Sequence, residues 1–465
     1  MQKLCQSAGH DAGCLRKFRN SSNEGAVINF THGILRRVKV STLGALLVLV
    51  AAAPAIAQNL SLTSSADPSG ENVYYIDQAD YHVHFSWSPA PGFQLNGGIE
   101  RDLDLTAWAS GFNPNTENQA MYLSPLASFT DAAGRHVYYI DLRQHVNQLF
   151  WGTAATTPVN QDLTQMTGAT LAEGRSLFGF SNGRGQHVYY IGTDAHVHHL
   201  WVNGGQPVVQ DLTTLLGSVS SCASPLLSSS LTGFSDGSGE HVYYEGANQH
   251  VCDITGYSLS YWIYNPVLHR YVWVTVWKQA TTDITAAANA VLALQASPLT
   301  GFSDSNGEHV YYVGTNQNVY QLFWNGSAES NSDLTLRWDW TPSGWSAIAL
   351  PVSNGALTSF SNNYGEHVYY VGTDQHVYQI NLTTGATLDL SAWYGGPLAL
   401  NANWVGWNCG SPVSSFSTST GEKVQYVGAD YHVHQFDYLN GASMWVNLDL
   451  TQTGSGVPTG ECPLL

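Results

Sequence analysis

One unit recurs seven times along this chain, and it restricts the fold more than any other feature. It is complete in Gly307-Glu308-His309-Val310-Tyr311-Tyr312-Val313-Gly314-Thr315-Asn316-Gln317-Asn318-Val319-Tyr320-Gln321-Leu322-Phe323-Trp324. Val, Tyr, Leu and Phe suit a pleated, half-buried surface, and Gly314-Thr315-Asn316-Gln317 supplies turn chemistry between two short strands. The first Val of the unit falls at Val73, Val137, Val188, Val242, Val310, Val368 and Val424, at spacings of 51 to 68 residues. A strand-built repeat of this length is the mark of a propeller blade and not of a helical solenoid.

The flanks of the hairpin complete the blade. A small-residue strand ending in Phe precedes it, as in Leu299-Thr300-Gly301-Phe302, followed by a turn such as Asp304 to Gly307. Asp first and Gly last is the chemistry of a type I turn. Behind the hairpin a variable segment leads to Asp-Leu-Thr or a near copy, starting at Asp104, Asp162, Asp211, Asp283, Asp333, Asp389 and Asp449. The expected fold is therefore all-β: a seven-bladed propeller of four-stranded antiparallel blades over residues 58–465. The blades are placed near 58–120, 121–170, 171–220, 221–290, 291–350, 351–405 and 406–465. Blade one carries an insertion around Pro89 to Gly98. Blade four carries a longer one, Gly256 to Ala280, in which Tyr271 to Trp277 alternates as a strand should.

Residues 1–57 stand apart. Arg36, Arg37 and Lys39 precede a short apolar run, and Ala55-Ile56-Ala57 offers a cleavage site before Gln58. This reads as a secretory signal behind an N-terminal extension, too short to span a bilayer, so the expected location is secreted or periplasmic with no membrane span in the mature chain. The chain has a formal net charge of −18. Such a surface repels phosphate backbones and excludes nucleic acid as a partner. Four cysteines follow the signal, and an even number in an exported chain suggests two disulfides. Of the three pairings, Cys222–Cys252 within one repeat and Cys409–Cys462 at the C-terminus are favoured.

Histidine is the repeat's most frequent polar residue. His136, His187, His241, His309 and His367 precede the first Val, and His82, His145, His196, His250, His376 and His432 precede the second. His82/His84, His196/His198 and His432/His434 are two apart on a strand and share a face. Alternating histidines can hold a metal, but a residue type copied around seven blades is expected to be architectural. No metal and no cofactor is assigned. Two positions after the second Val an amide or imidazole recurs at Gln148, His199, Gln321, Gln379 and Gln435, with Asp253 in blade four. Trp151, Trp201 and Trp324 follow. A four-residue turn at Thr193–His196 would set Tyr190 opposite His199, and the same register sets Tyr312 opposite Gln321 and Tyr370 opposite Gln379. One face then repeats an aromatic ring beside an amide, the pairing a sugar needs.

Catalytic constellations are missing. Gly-x-Ser-x-Gly occurs twice, at Gly179–Gly183 and Gly233–Gly237, but as the small-residue strand and turn of the repeat and not as a strand-to-helix elbow; there is no nucleotide loop and no His-Glu-x-x-His. An Asp recurring in all seven Asp-Leu-Thr units suits architecture better than the unique carboxylate pair of a glycosidase.

The stretch Val368-Tyr369-Tyr370-Val371-Gly372-Thr373-Asp374-Gln375-His376-Val377-Tyr378-Gln379 resembles the repeat of fungal fucose-specific lectins. Gly-Thr-Asp and the closing Trp324-Asn325-Gly326 are similar to those of bacterial seven-bladed propeller lectins. The resemblance implies a propeller that binds glycans or glycoconjugates at several sites without catalysis. The Arg and Glu that the fungal family uses for fucose are replaced here, as in Val319-Tyr320-Gln321 and Val377-Tyr378-Gln379. The alternatives are a propeller that binds protein or cell-envelope partners through its insertions and, after it, a glycoside hydrolase or lyase. The residues single out neither a sugar nor an oligomeric state.

Overall fold

The computed structural model describes residues 61–451 apart from 78, 90–101, 112–118, 122–123, 154–156, 205, 218–220, 266–268, 336–337, 342–343, 353–354, 405–406, 420 and 440–443. The cleavage site before Gln58, the bulk of the blade-one insertion and Cys462, with the pairing expected for Cys409, lie outside the described residues.

Seven antiparallel sheets of four strands follow one another, each formed from consecutive strands of the chain. Blade three is representative, with strands Ala172–Asn182, Gly185–Gly192, Val197–Val202 and Val208–Asp211. The first strands lie innermost and pack side by side around the ring, blade seven against blade one included. Hydroxyl pairs link them: Thr63 to Ser128 at 3.0 Å, Thr358 to Ser415 at 2.9 Å, and Ser64 to Ser414 at 2.6 Å where the ring closes. Small side chains in these strands allow that close approach.

The Val-Tyr-Tyr strands are apolar without alternation because both faces are covered by neighbouring blades. Tyr138, Tyr139, Tyr190, Tyr311 and Tyr370 are all buried. The core is consequently a set of layers between blades. One layer joins Tyr369 and Val371 of blade six to Tyr426 and Phe436 of blade seven. Another joins Leu62, Val73 and Tyr75 of blade one to Val433 of blade seven.

The turn before the second strand forms as expected. Asp304 takes the amide of Asn306 on Oδ1 at 2.7 Å, and its own amide meets the Gly307 carbonyl at 2.9 Å. Gly307 has φ +151°, and a Cβ there would strike the Trp324 carbonyl.

The turn after the second strand differs from expectation. Gly192 N–H donates to the His196 carbonyl and Ala195 N–H to the Gly192 carbonyl, both at 2.9 Å, with Ala195 at φ +60°. The loop therefore has three residues, a type I turn closed by a left-handed residue. The register moves by one. Tyr189, not Tyr190, faces His199, and Tyr311, not Tyr312, faces Gln321. Tyr369 likewise takes the place expected for Tyr370 opposite Gln379. A one-residue slip exchanges the two faces of a strand.

Asp-Leu-Thr ends the fourth strand and opens a one-turn helix in five blades, with Asp104, Asp162, Asp211, Asp283 or Asp389 as N-cap. The Thr hydroxyl returns to the third strand, where Thr164 Oγ1 accepts from Val146 N–H at 2.8 Å. The second carboxylate oxygen of the cap accepts from the histidine before that Val, as between Asp162 and His145 at 2.7 Å. One of the two expected disulfides is present: Cys222 meets Cys252 with a Cα–Cα separation of 6.1 Å.

Candidate functional site

Each blade meets the next through one polar cluster. In blade six the Gln379 amide donates to His367 Nδ1 at 3.0 Å and the Tyr369 hydroxyl at 2.8 Å. It also donates to Glu422 of blade seven at 3.1 Å, and Glu422 accepts from the Tyr369 hydroxyl at 3.0 Å. Gln321, His309 and Tyr311 repeat the arrangement with Glu366. Gln148, His136 and Tyr138 do so with Gln186. Gln435 joins Gln425 at 2.8 Å and Glu71 of blade one at 3.4 Å. In blade three His199 stands in for the amide, 3.0 Å from His187.

All five expected amide or imidazole residues, Gln148, His199, Gln321, Gln379 and Gln435, are buried and bonded within these clusters. Tyr190, Tyr312 and Tyr370 lie on the opposite face, their hydroxyls given to the carbonyls of Thr170, Val291 and Ala349. Burial keeps two of the imidazoles neutral: it pushes His199 down to about 3 and His187 down to about 4, with Arg184 adding to the latter.

The residue that crosses each junction follows the glycine that closes the first turn. It is Glu71, Arg135, Gln186, Glu240, Glu308, Glu366 or Glu422. Sequence reasoning passed over it, although Gly-Glu-His-Val stands openly in the repeat and its regular place beside the histidine was the available signal.

At the junction of blades one and two this residue is Arg135, and the junction opens. A cleft of about 450 Å³ is lined by Asp67, Ser69, Asp131, Arg135, Trp151 and Thr153, among others. Arg135 Nε lies 2.6 Å from Asp67 and Nη2 2.5 Å from the Ser69 hydroxyl. Its guanidinium sits over the Trp151 ring at 5.4 Å and over Phe85 at 5.8 Å. Trp151 is braced edge-on by Trp108, ring centres 4.8 Å apart. Burial raises the Asp67 carboxyl, but the bonds from Arg135 and Ser69 outweigh it and bring the group down to about 2. Asp131 is partly buried as well, yet His136 and Gln186 hold it below the ordinary carboxylate range.

The third-strand tryptophans occupy two different positions. Trp151 pairs with Arg135 and Trp324 with Glu308, whereas Trp201 pairs with His187 one place earlier in the repeat. Trp151 consequently faces blade one while Gln148 faces blade three. The Arg184 guanidinium lies over the Trp201 ring at 5.4 Å and over the Trp277 ring at 3.4 Å. Trp277 belongs to the blade-four insertion and, with Tyr189, His199 and Glu240, lines the junction of blades three and four, which leaves only about 10 Å³.

No family model and no curated protein matches the sequence. Among solved structures the chain is similar to SapL1 lectin in complex with α-methyl fucoside, at 14% identity and TM-score 0.39, covering 85% of this chain and 96% of that one. It is similar to Aleuria aurantia lectin in complex with Fucα1-6GlcNAc at 13% identity and TM-score 0.40, covering 74% and 98%. AofleA from Arthrobotrys oligospora gives 13% identity and TM-score 0.40, covering 72% and 85%. Overlaps of this size say nothing of a ligand for the present chain. Its ring of blades is read from its own strand pairing.

Proposed function

We propose that the chain is an exported, multivalent carbohydrate-binding protein without catalytic activity. The observation that carries this reading is the open cleft between blades one and two. Trp151 offers a ring face for the C–H side of a sugar, Arg135 a planar donor, and Asp67 and Asp131 acceptors for its hydroxyls. Both carboxyls are held ionised, so neither supplies the proton that a glycosidase's general acid must donate. The seven junctions share one frame, so that several weak sites could add avidity by about 10²–10⁴ on a surface bearing many copies of a sugar. In this reading Trp151 meets ligand and Trp324, at the matching strand position, does so in blade five, while Trp201 is covered by Arg184 and does not. Gln148, His199, Gln321, Gln379 and Gln435 support the junctions from behind, and Tyr190, Tyr312 and Tyr370 anchor the opposite face.

A glycan array on the mature protein, followed by titration of the best ligand, tests the reading. Trp151→Ala and Arg135→Ala should each weaken binding by about tenfold or more, equivalent to about 1–3 kcal/mol for an unpaired buried hydroxyl. Ser69→Ala, which leaves the packing alone, should weaken it less. An array without signal, or binding that survives both larger substitutions, overturns the assignment.

A further inference from the structure

Blade four departs from its six counterparts beyond Gly256. Strand two ends its pairing there, opposite Glu240, while strands three and four continue as a two-stranded ribbon from Tyr257–Lys278 to Asn265–Arg270. Nine residue pairs at about 3.3 Å each carry it roughly 30 Å past the blade. A two-stranded ribbon is marginal in water by itself, and this one exposes large apolar side chains on both faces. Leu259 and Ile263 stand on one face and are 44% and 40% exposed; Trp262 and Tyr271 stand on the other and are 63% and 66% exposed.

The charge of the ribbon is opposite to that of the protein. Between Asp253 and Asp283 the sequence holds Arg270 and Lys278 and no Asp or Glu, in a chain of net charge −18. Arg270 and Lys278 are both exposed.

We propose that the ribbon docks the protein on an anionic lipid surface, seated in the headgroup region. A folded partner would cover one face of the ribbon and leave the other in water, whereas a lipid interface covers both. Trp and Tyr favour that depth, and the two cations complement the negative leaflet. A two-stranded ribbon is not a closed barrel, and this keeps it out of the hydrocarbon core. The acidic body does not defeat the contact, because about 30 Å exceeds the roughly 8 Å Debye length at physiological salt.

Co-sedimentation of the mature protein with phosphatidylcholine vesicles, with and without 25 mol% phosphatidylglycerol, reads this out. The expected result is binding to the anionic vesicles that falls with salt. Trp262→Ser/Tyr271→Ser and, separately, Arg270→Glu/Lys278→Glu should each reduce it by roughly an order of magnitude or more, at about fivefold per cation. The second pair changes only exposed charges and guards against misfolding in the first. Binding to neither vesicle, or equal binding by wild type and both variants, overturns the proposal. So does a wild-type dimer in light scattering that the first variant turns to monomer without any vesicle binding, which would make the ribbon a self-association surface.

Discussion

At the scale of single residues the junctions tolerate an imidazole where an amide is the rule, and pH reveals the difference. His199 is held near 3 and His187 near 4 in the folded chain, against 6.5 when unfolded. A base with a depressed folded pKa contributes stability above the unfolded value, and that contribution drains away as pH falls from about 6.5 towards 3. His199→Gln installs the residue found at the same place in blades two, five, six and seven. Its amide can bond the His187 ring and Tyr189 hydroxyl as Gln148 bonds His136 and Tyr138. The variant should match wild type at pH 8 and melt at higher temperature than wild type at pH 5. Equal melting curves at pH 5 would show that His199 is not buried neutral.

At the scale of elements the repeat was legible where local chemistry decides and illegible where a rare backbone state does. Seven hairpins, four strands per blade, the Asp-capped first turn and Cys222–Cys252 all follow from residue type and spacing. The faces of the hairpin did not, because Gln144, Ala195, Gln249, Gln317, Gln375 and Tyr431 adopt φ between +60° and +70° at a place where sequence rules look for glycine. The repeat's glycine stands three residues earlier, at Gly192, Gly246, Gly314, Gly372 and Gly428. The expected pairing of Tyr190 with His199 therefore failed by one residue. The residues that cross the junctions escaped notice because nothing within one blade shows where Glu366 or Glu422 is aimed. Glu422 accepts from Asn362, Tyr369 and Gln379 of the preceding blade. Glu422→Ala should cost about 1–3 kcal/mol by leaving those buried donors unmatched, read as a lower urea midpoint. A midpoint equal to wild type would make the contact ornamental.

At the scale of the whole molecule the seventh junction has to close a circle. Lys423 stands where blades two to six carry histidine, and its ammonium lies 3.0 Å from Glu71 and 2.5 Å from Asp437 with all three side chains largely buried. Removing the cation leaves two buried carboxylates facing each other, so Lys423→Met should destabilise by about 3 kcal/mol. The loss should be recovered in part by Glu71→Gln in the same chain. An unaffected melting temperature would show that the circle closes without this ion pair, on contacts such as Leu62 and Tyr75 with Val433 and Ser64 with Ser414.

The sheets carry one more implication. Among the described residues no blade borrows a strand from elsewhere in the chain: all seven are finished in sequence before the next begins. Where the circle meets, Leu450 packs on the cluster that contains Leu62, so both ends of the described chain reach the same spot. The molecule thus has a direction but no required beginning. A gene rewritten to start at blade three or blade six, with its old ends joined by a short linker, encodes the same set of contacts in the same cyclic order, and the place where synthesis starts becomes a matter of history and not of mechanics.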